Sequence, residues 1–199
     1  RVTIAADGTQ ANAISFDATF SPDGNWVVFY SAASNLVAGD TNGTNDIFLK
    51  NINTGAIYLI SRTAGGAIGD LDSINPSFSP DGTKIVFHSV AHNFTPPDTT
   101  GSDIFVKDIS AIYSGNDPSN GTLTRVATNG LVPVWSPDGT KIAFHGLSGV
   151  YYVNADGSGL TLVSADVNGN AGNGQSLQAD WSSDGHYITF WSLANNLVP

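Results

Sequence analysis

The chain has no cysteine, no methionine and no glutamate: all 17 acidic residues are aspartate. Without thiols it has no disulfide framework, no thiolate metal site and no cysteine nucleophile. Glutamate and methionine are good helix formers, and what stands in their place, 22 glycines and 18 asparagines among 199 residues, favours turns. An all-helical fold is excluded, and a chain of mostly strand and turn is expected. Basic residues are scarce as well. Seven Lys and Arg against 17 Asp give a formal charge of -10, which argues against nucleic acid and anionic lipid surfaces, since both are held by cations neutralising phosphate. Cations and basic partners stay open. No apolar run approaches the roughly 18 residues of a membrane span, so no membrane insertion is expected. Arg1 opens no charged-then-apolar leader, so the chain reads as mature or trimmed. Its length suits one sizeable domain.

What is present is a repeat. TFSPDGNWVVFYS from Thr19, SFSPDGTKIVFHS from Ser77, VWSPDGTKIAFHG from Val134 and DWSSDGHYITFWS from Asp180 are near-copies. Their aspartates, Asp23, Asp81, Asp138 and Asp184, are 58, 57 and 46 residues apart, near the period of about 40 to 50 that propeller blades show. Each copy reads as a hairpin: Pro presets φ, Asp bonds its own backbone and Gly takes positive φ. The apolar runs that follow, such as Trp26 to Phe29 and Ile85 to Phe87, are continuous rather than alternating, which suits strands covered on both faces. Two more strands follow the first three hairpins: DIFLKNI then AIYLISR, DIFVKDI then TLTRVAT, and VYYVNADGSGLTLVS as a tight hairpin turning at Asp156-Gly157. Four strands, A to D, make a blade. The expected fold is an all-β propeller of four-stranded antiparallel blades, about 3.5 of them in this chain.

The Ser-Pro-Asp-Gly hairpins resemble the WD40-like repeats of TolB-type β-propellers over nearly the whole chain. The fourth copy departs, with Ser183 in place of proline, and the third lacks a long loop between B and C. The resemblance implies that A is innermost and D outermost, with A-to-B and C-to-D turns on one face and B-to-C and D-to-A loops on the other. It also implies, together with a lysine-poor, Asp- and Asn-rich composition, a bacterial protein outside the cytoplasm, periplasmic or secreted. Related propellers precede the hydrolase domain in prolyl-oligopeptidase-like enzymes, but no Gly-x-Ser-x-Gly elbow occurs here and no catalytic residue is assigned.

The expected organisation is the last strand of a preceding blade at 1–4, blades at 14–62, 72–128 and 131–164, and the first two strands of a fourth at 176–199. Such a stack leaves strand edges that native proteins cover or pair. Ring closure is therefore expected from a missing chain segment or from oligomerisation, unless the N-terminal strand joins the C-terminal hairpin to close a four-blade ring.

Sorting charges by the implied faces gives an asymmetry. The loop segments near 5–15, 31–45, 63–74, 89–102, 127–133, 146–149 and 164–178 contain no Lys or Arg, but hold Asp7, Asp40, Asp70, Asp72, Asp98 and Asp166. A negative face would attract a protein or peptide partner, basic in character; equally, aspartate is the turn residue of a Glu-free protein. In the first B-to-C loop, Asp40, Asn42, Thr44 and Asp46 put oxygen at alternate positions, echoed by Asp98 and Asp103 in the second. That pattern fits Ca²⁺, which takes six to eight oxygens, and fits as well an Asx turn at Asn42-Gly43. No other cofactor is indicated. At the channel entrance, three residues before each motif's Phe or Trp, stand Asp17, Asn75, Val132 and Gln178. The three polar ones could meet a small polar ligand or a peptide terminus, or only water. His88 and His145 share a repeat position with Tyr30 and Trp191, which reads as packing.

Overall fold

The computed structural model describes residues 1–96 and 101–198. Its strands form antiparallel sheets in chain order: β1 (Ser15–Phe20) to β4 through β2 (Trp26–Ser31), β3 (Asp46–Asn51) and β4 (Ile57–Leu59); then β5 (Ser73–Phe78), β6 (Lys84–Ser89), β7 (Asp103–Asp108) and β8 (Leu123–Ala127). A third sheet holds β9 (Gly130–Trp135), β10 (Lys141–Gly146), β11 (Gly149–Asn154) and β12 (Thr161–Leu162), and a two-stranded sheet holds β13 (Ser176–Trp181) and β14 (Ile188–Ser192). These are blades of a β-propeller. No helix among the described residues is long and apolar enough to cross a membrane.

The continuous apolar runs are explained by packing on both sides. Along β2, Val28 enters the cluster shared with Ile85, Phe87 and Phe105 of the second sheet, while Val27 and Phe29 point the other way. Val86 and Val106 likewise meet Ile142, Phe144 and Val153 of the third sheet. Burying one such side chain is worth about 1.5–3 kcal/mol, so each junction between sheets is a core in its own right. The end sheets differ: Phe20 is 61 % exposed where Phe78 and Trp135, at the same repeat position, are 7 % and 9 % exposed.

All four Asp-Gly reversals have one geometry. Ser21, Ser79, Ser136 and Ser182 donate their hydroxyls to Asp23, Asp81, Asp138 and Asp184 at 2.5–2.6 Å, and the glycines that follow lie at φ 70–72°. The fourth turn keeps this geometry with Ser183 in place of proline. These bonds hold the carboxylates below their usual range, Asp138 at about 2, with the Ser136 hydroxyl the largest cause. Each turn also leans on the one before it: a Cβ on Gly82 would meet Pro22, on Gly139 Pro80, and on Gly185 Pro137. The hairpin turns therefore lie in succession on one side.

Buried lysines tie consecutive sheets. Lys107, at 0 % exposure, donates from Nζ to Arg62 O in the preceding sheet's outer segment (2.7 Å) and to Ser119 O (2.8 Å). Lys50 repeats the arrangement with Ile4 O (2.7 Å) and Gly55 O (3.1 Å).

Candidate binding face and channel mouth

The innermost strands β1, β5, β9 and β13 each lose register at one point, between Phe16 and Thr19, Ile74 and Ser77, Leu131 and Val134, and Leu177 and Asp180. The residue at the break is left-handed every time: Asp17 (φ 50°), Asn75 (52°), Val132 (50°) and Gln178 (56°). A bulge with a residue in this region re-aims the strand, and Asn and Asp tolerate it better than other side chains. The polar residues placed at the mouth by repeat position thus answer a backbone need. Asn75 Nδ2 donates to Asp17 Oδ2 at 2.7 Å, linking two bulges. Val132 instead offers its amide to His88 Nδ1 at 3.4 Å.

Beside the bulges lie Tyr30, His88, His145 and Trp191, opposite Phe16, Ile74, Leu131 and Leu177 respectively. Tyr30 stacks on Phe16 at 5.3 Å; burial, then the charges of Asp17 and Asp72, raise its phenol. His88 is buried and pushed down to about 4, by burial first and then by His145. Burial lowers His145 too, and its Nδ1 is buried without a partner. These are neutral rings at neutral pH.

In the first long loop, Asn42 is fully engaged: Nδ2 donates to Asp46 Oδ2 and Gly69 O, both at 2.8 Å, and Oδ1 accepts from Thr44 N at 3.3 Å. Asp46 Oδ1 accepts from Ser61 Oγ at 2.5 Å, and that oxygen in turn accepts from Ile47 N. Burial lifts the Asp46 carboxyl to about 7 against these bonds, with Asp40 and Asp72 adding to the rise; Asp40, 6 % exposed, is raised by burial alone. Thr44 Oγ1 is buried without a partner. The second loop differs. Asp103 accepts from Arg125 Nη1 at 2.9 Å and Asn129 N at 3.1 Å, while Asp98 lies outside the described residues. Among the described residues no three His, Asp or similar groups converge as a metal site.

Asp7, Asp70 and Asp72 are exposed on the loops, and Asp166 is partly exposed. Two arginines reach toward these segments, Arg125 from β8 and Arg62 from just beyond β4, which the linear order of charges does not reveal. Arg125 pairs with Asp103, and the Arg62 guanidinium lies against Gly66, where a Cβ would come within 2.7 Å of it. Among the described residues no Lys or Arg pairs with Asp7, Asp70 or Asp166, though His92 Nδ1 lies 3.5 Å from Asp70 Oδ2.

No family model matches the chain, and no curated protein matches it. Solved structures do. TolB from Acinetobacter baumannii superposes with a TM-score of 0.56 at 17% identity, covering 89% of this chain and 37% of that one. A TolB from Agrobacterium tumefaciens gives 0.52 at 16% identity, covering 88% and 59%, and a nidogen/laminin complex gives 0.54 at 10% identity, covering 92% and 58%. The chain thus spans about two fifths to three fifths of the lengths of these neighbours. At such identities the likeness establishes the architecture, and what this chain shares with TolB-type and other propeller proteins is the β-propeller fold.

Proposed function

We propose that the chain is a non-catalytic binding scaffold whose acidic loop face engages a protein or peptide partner of basic character, in the periplasm or as a secreted protein. One observation carries the reading: the loop segments carry exposed aspartates and no lysine or arginine, and such a field concentrates and steers cationic partners. TolB and nidogen structures among the neighbours are consistent with it, since the nidogen structure is itself a complex with laminin. The test is calorimetric titration of a ten-residue lysine peptide into the full chain at low and at high salt. Saturable binding that weakens with salt supports the reading; no binding at low salt refutes it.

A larger enzyme of which this chain is the propeller portion is the second reading. A peptidase from Mycobacterium tuberculosis that hydrolyses puromycin superposes with a TM-score of 0.52 over 76% of this chain and 22% of its own length, at 18% identity. The complete open reading frame decides it by the presence or absence of a hydrolase or lyase domain. A Ca²⁺-stabilised structural or adhesive module is favoured only by the buried, unpartnered Thr44 hydroxyl in the first long loop; a melting midpoint that does not move between EDTA and millimolar Ca²⁺ removes it.

A further inference from the structure

Each of the three four-stranded sheets carries the same aromatic floor, at the end of its second and third strands nearest the loop that joins them. Phe29 stacks on Phe48 at 5.7 Å, Phe87 on Phe105 at 6.0 Å and Phe144 on Tyr151 at 5.8 Å, each pair directly opposed between the second and third strands of its sheet. Over the first floor the loop between β2 and β3 inserts Leu36, 3 % exposed. Over the second, the loop between β6 and β7 inserts Phe94, 7 % exposed and edge-on to Phe105 at 5.3 Å.

An asparagine precedes each inserted side chain and fastens the loop. Asn35 Nδ2 donates to Gln10 O at 2.7 Å and its oxygen accepts from Asn12 N at 2.9 Å. Asn93 does the same with Ile68 O and Asp70 N, and Asn196, ahead of Leu197, with Ala171 O and Asn173 N.

The third floor has neither part. Only Leu147-Ser148 joins β10 to β11, and only Thr128-Asn129 joins β8 to β9, so among the described residues neither connection is long enough to insert a side chain over the floor or to be fastened there. A cavity of about 250 Å³ remains over the Phe144–Tyr151 stack, walled by Thr128, Asn129, Leu147 and Leu160. Leu147 and Leu160 are 87 % and 60 % exposed at its rim.

We propose that this cavity is a docking site for a loop or peptide of another protein that presents a phenylalanine or leucine side chain. The occupant's chemistry is argued from the molecule itself: Phe94 and Leu36 fill the matching space over the two other floors. The site needs no charge, so it stands or falls separately from the acidic-face reading.

The test titrates the acetylated, amidated peptide Ala-His-Asn-Phe-Thr-Pro, copied from residues 91–96, into the isotope-labelled full chain. The expected result is saturable amide shifts confined to Thr128, Asn129 and the segment 146–151, with at least about tenfold weaker binding when the peptide's phenylalanine is alanine. Leu147→Asp with Leu160→Asp, both exposed positions, should weaken binding by a similar factor while leaving distant amides unmoved. The proposal is overturned by an absence of saturable shifts at these amides, or by equal affinity for the alanine peptide. It is overturned as well by the same shifts appearing when the protein alone is concentrated, which would make a second copy the occupant. A lysine peptide moving the amides of Asp7, Asp70 and Asp166 reports on the acidic face independently of either result.

Discussion

Asn75 donates its side-chain amide to the Asp17 carboxylate across 2.7 Å, joining the left-handed bulges of two neighbouring innermost strands. At the third bulge Val132 takes the same backbone conformation, φ 50°, with a β-branched side chain and no such bond.

Val132 is therefore the strained member of the set. A left-handed L-residue costs about 1–2 kcal/mol, less for Asn. Val132→Asn is expected to stabilise the protein by about 1 kcal/mol, a rise of about 2–4 °C in melting midpoint for a domain of this size. Calorimetry or a circular-dichroism melt checks it, and an unchanged or lower midpoint would show that the valine side chain gains more from packing than it loses in strain.

Two buried groups should give stability opposite pH slopes. Asp46 titrates near 7 in the fold against an ordinary 3.8, chiefly through burial; the stability it contributes is present below pH 4 and is lost as pH rises through 7. His88, held at about 4 against 6.5, contributes stability that is present above 6.5 and lost as pH falls through 4. The ceiling for either is about 1.4 kcal/mol per pH unit. Denaturant midpoints at pH 4 to 8 should show the deficit of Asp46→Asn relative to the parent shrinking with rising pH. That of His88→Tyr, which copies Tyr30, should shrink with falling pH.

Lys107 carries its charge into a junction with no carboxylate bonded to it, and burial, the largest cause, then Arg62, lowers its ammonium to about 8. Lys107→Met removes the donor from Arg62 O and Ser119 O together. Leaving buried carbonyls unpaired costs about 1–3 kcal/mol, so a loss of this order in urea unfolding is expected. Lys50→Met, at the same place in the first sheet, should lose less, because Gly55 O is the more distant acceptor at 3.1 Å.

The blades were legible because their determinants are local. Ser-Pro-Asp-Gly dictates its own turn whatever surrounds it, and a run such as Ile85 to Phe87 states that both faces of a strand are covered. The site was less legible because unlike causes leave the same letters. Oxygen at positions 40, 42, 44 and 46 is common to a cation loop and to the hydrogen-bonded turn in which Asn42 is spent. Polar residues at 17, 75 and 178 suit a ligand, and Asp17 and Asn75 equally suit a left-handed bulge, while Val132 gives no signal of one. The Arg125–Asp103 pair spans 22 residues and depends on register between β7 and β8, where the ladder slips between Ile104 and Phe105. No spacing rule contains that slip.

The most direct test of the account is whether cationic binding is one-sided. Titrating the ten-residue lysine peptide into the parent, into Asp7→Asn with Asp70→Asn and Asp166→Asn, and into Asp108→Asn with Asp117→Asn and Asp156→Asn compares equal charge removed from the loop face and from the C-to-D turns opposite. The account requires the first triple variant to lose most of the salt-dependent affinity and the second to keep it. Equal losses from both would mean that net charge alone attracts the peptide and that the loop face has no special part in it.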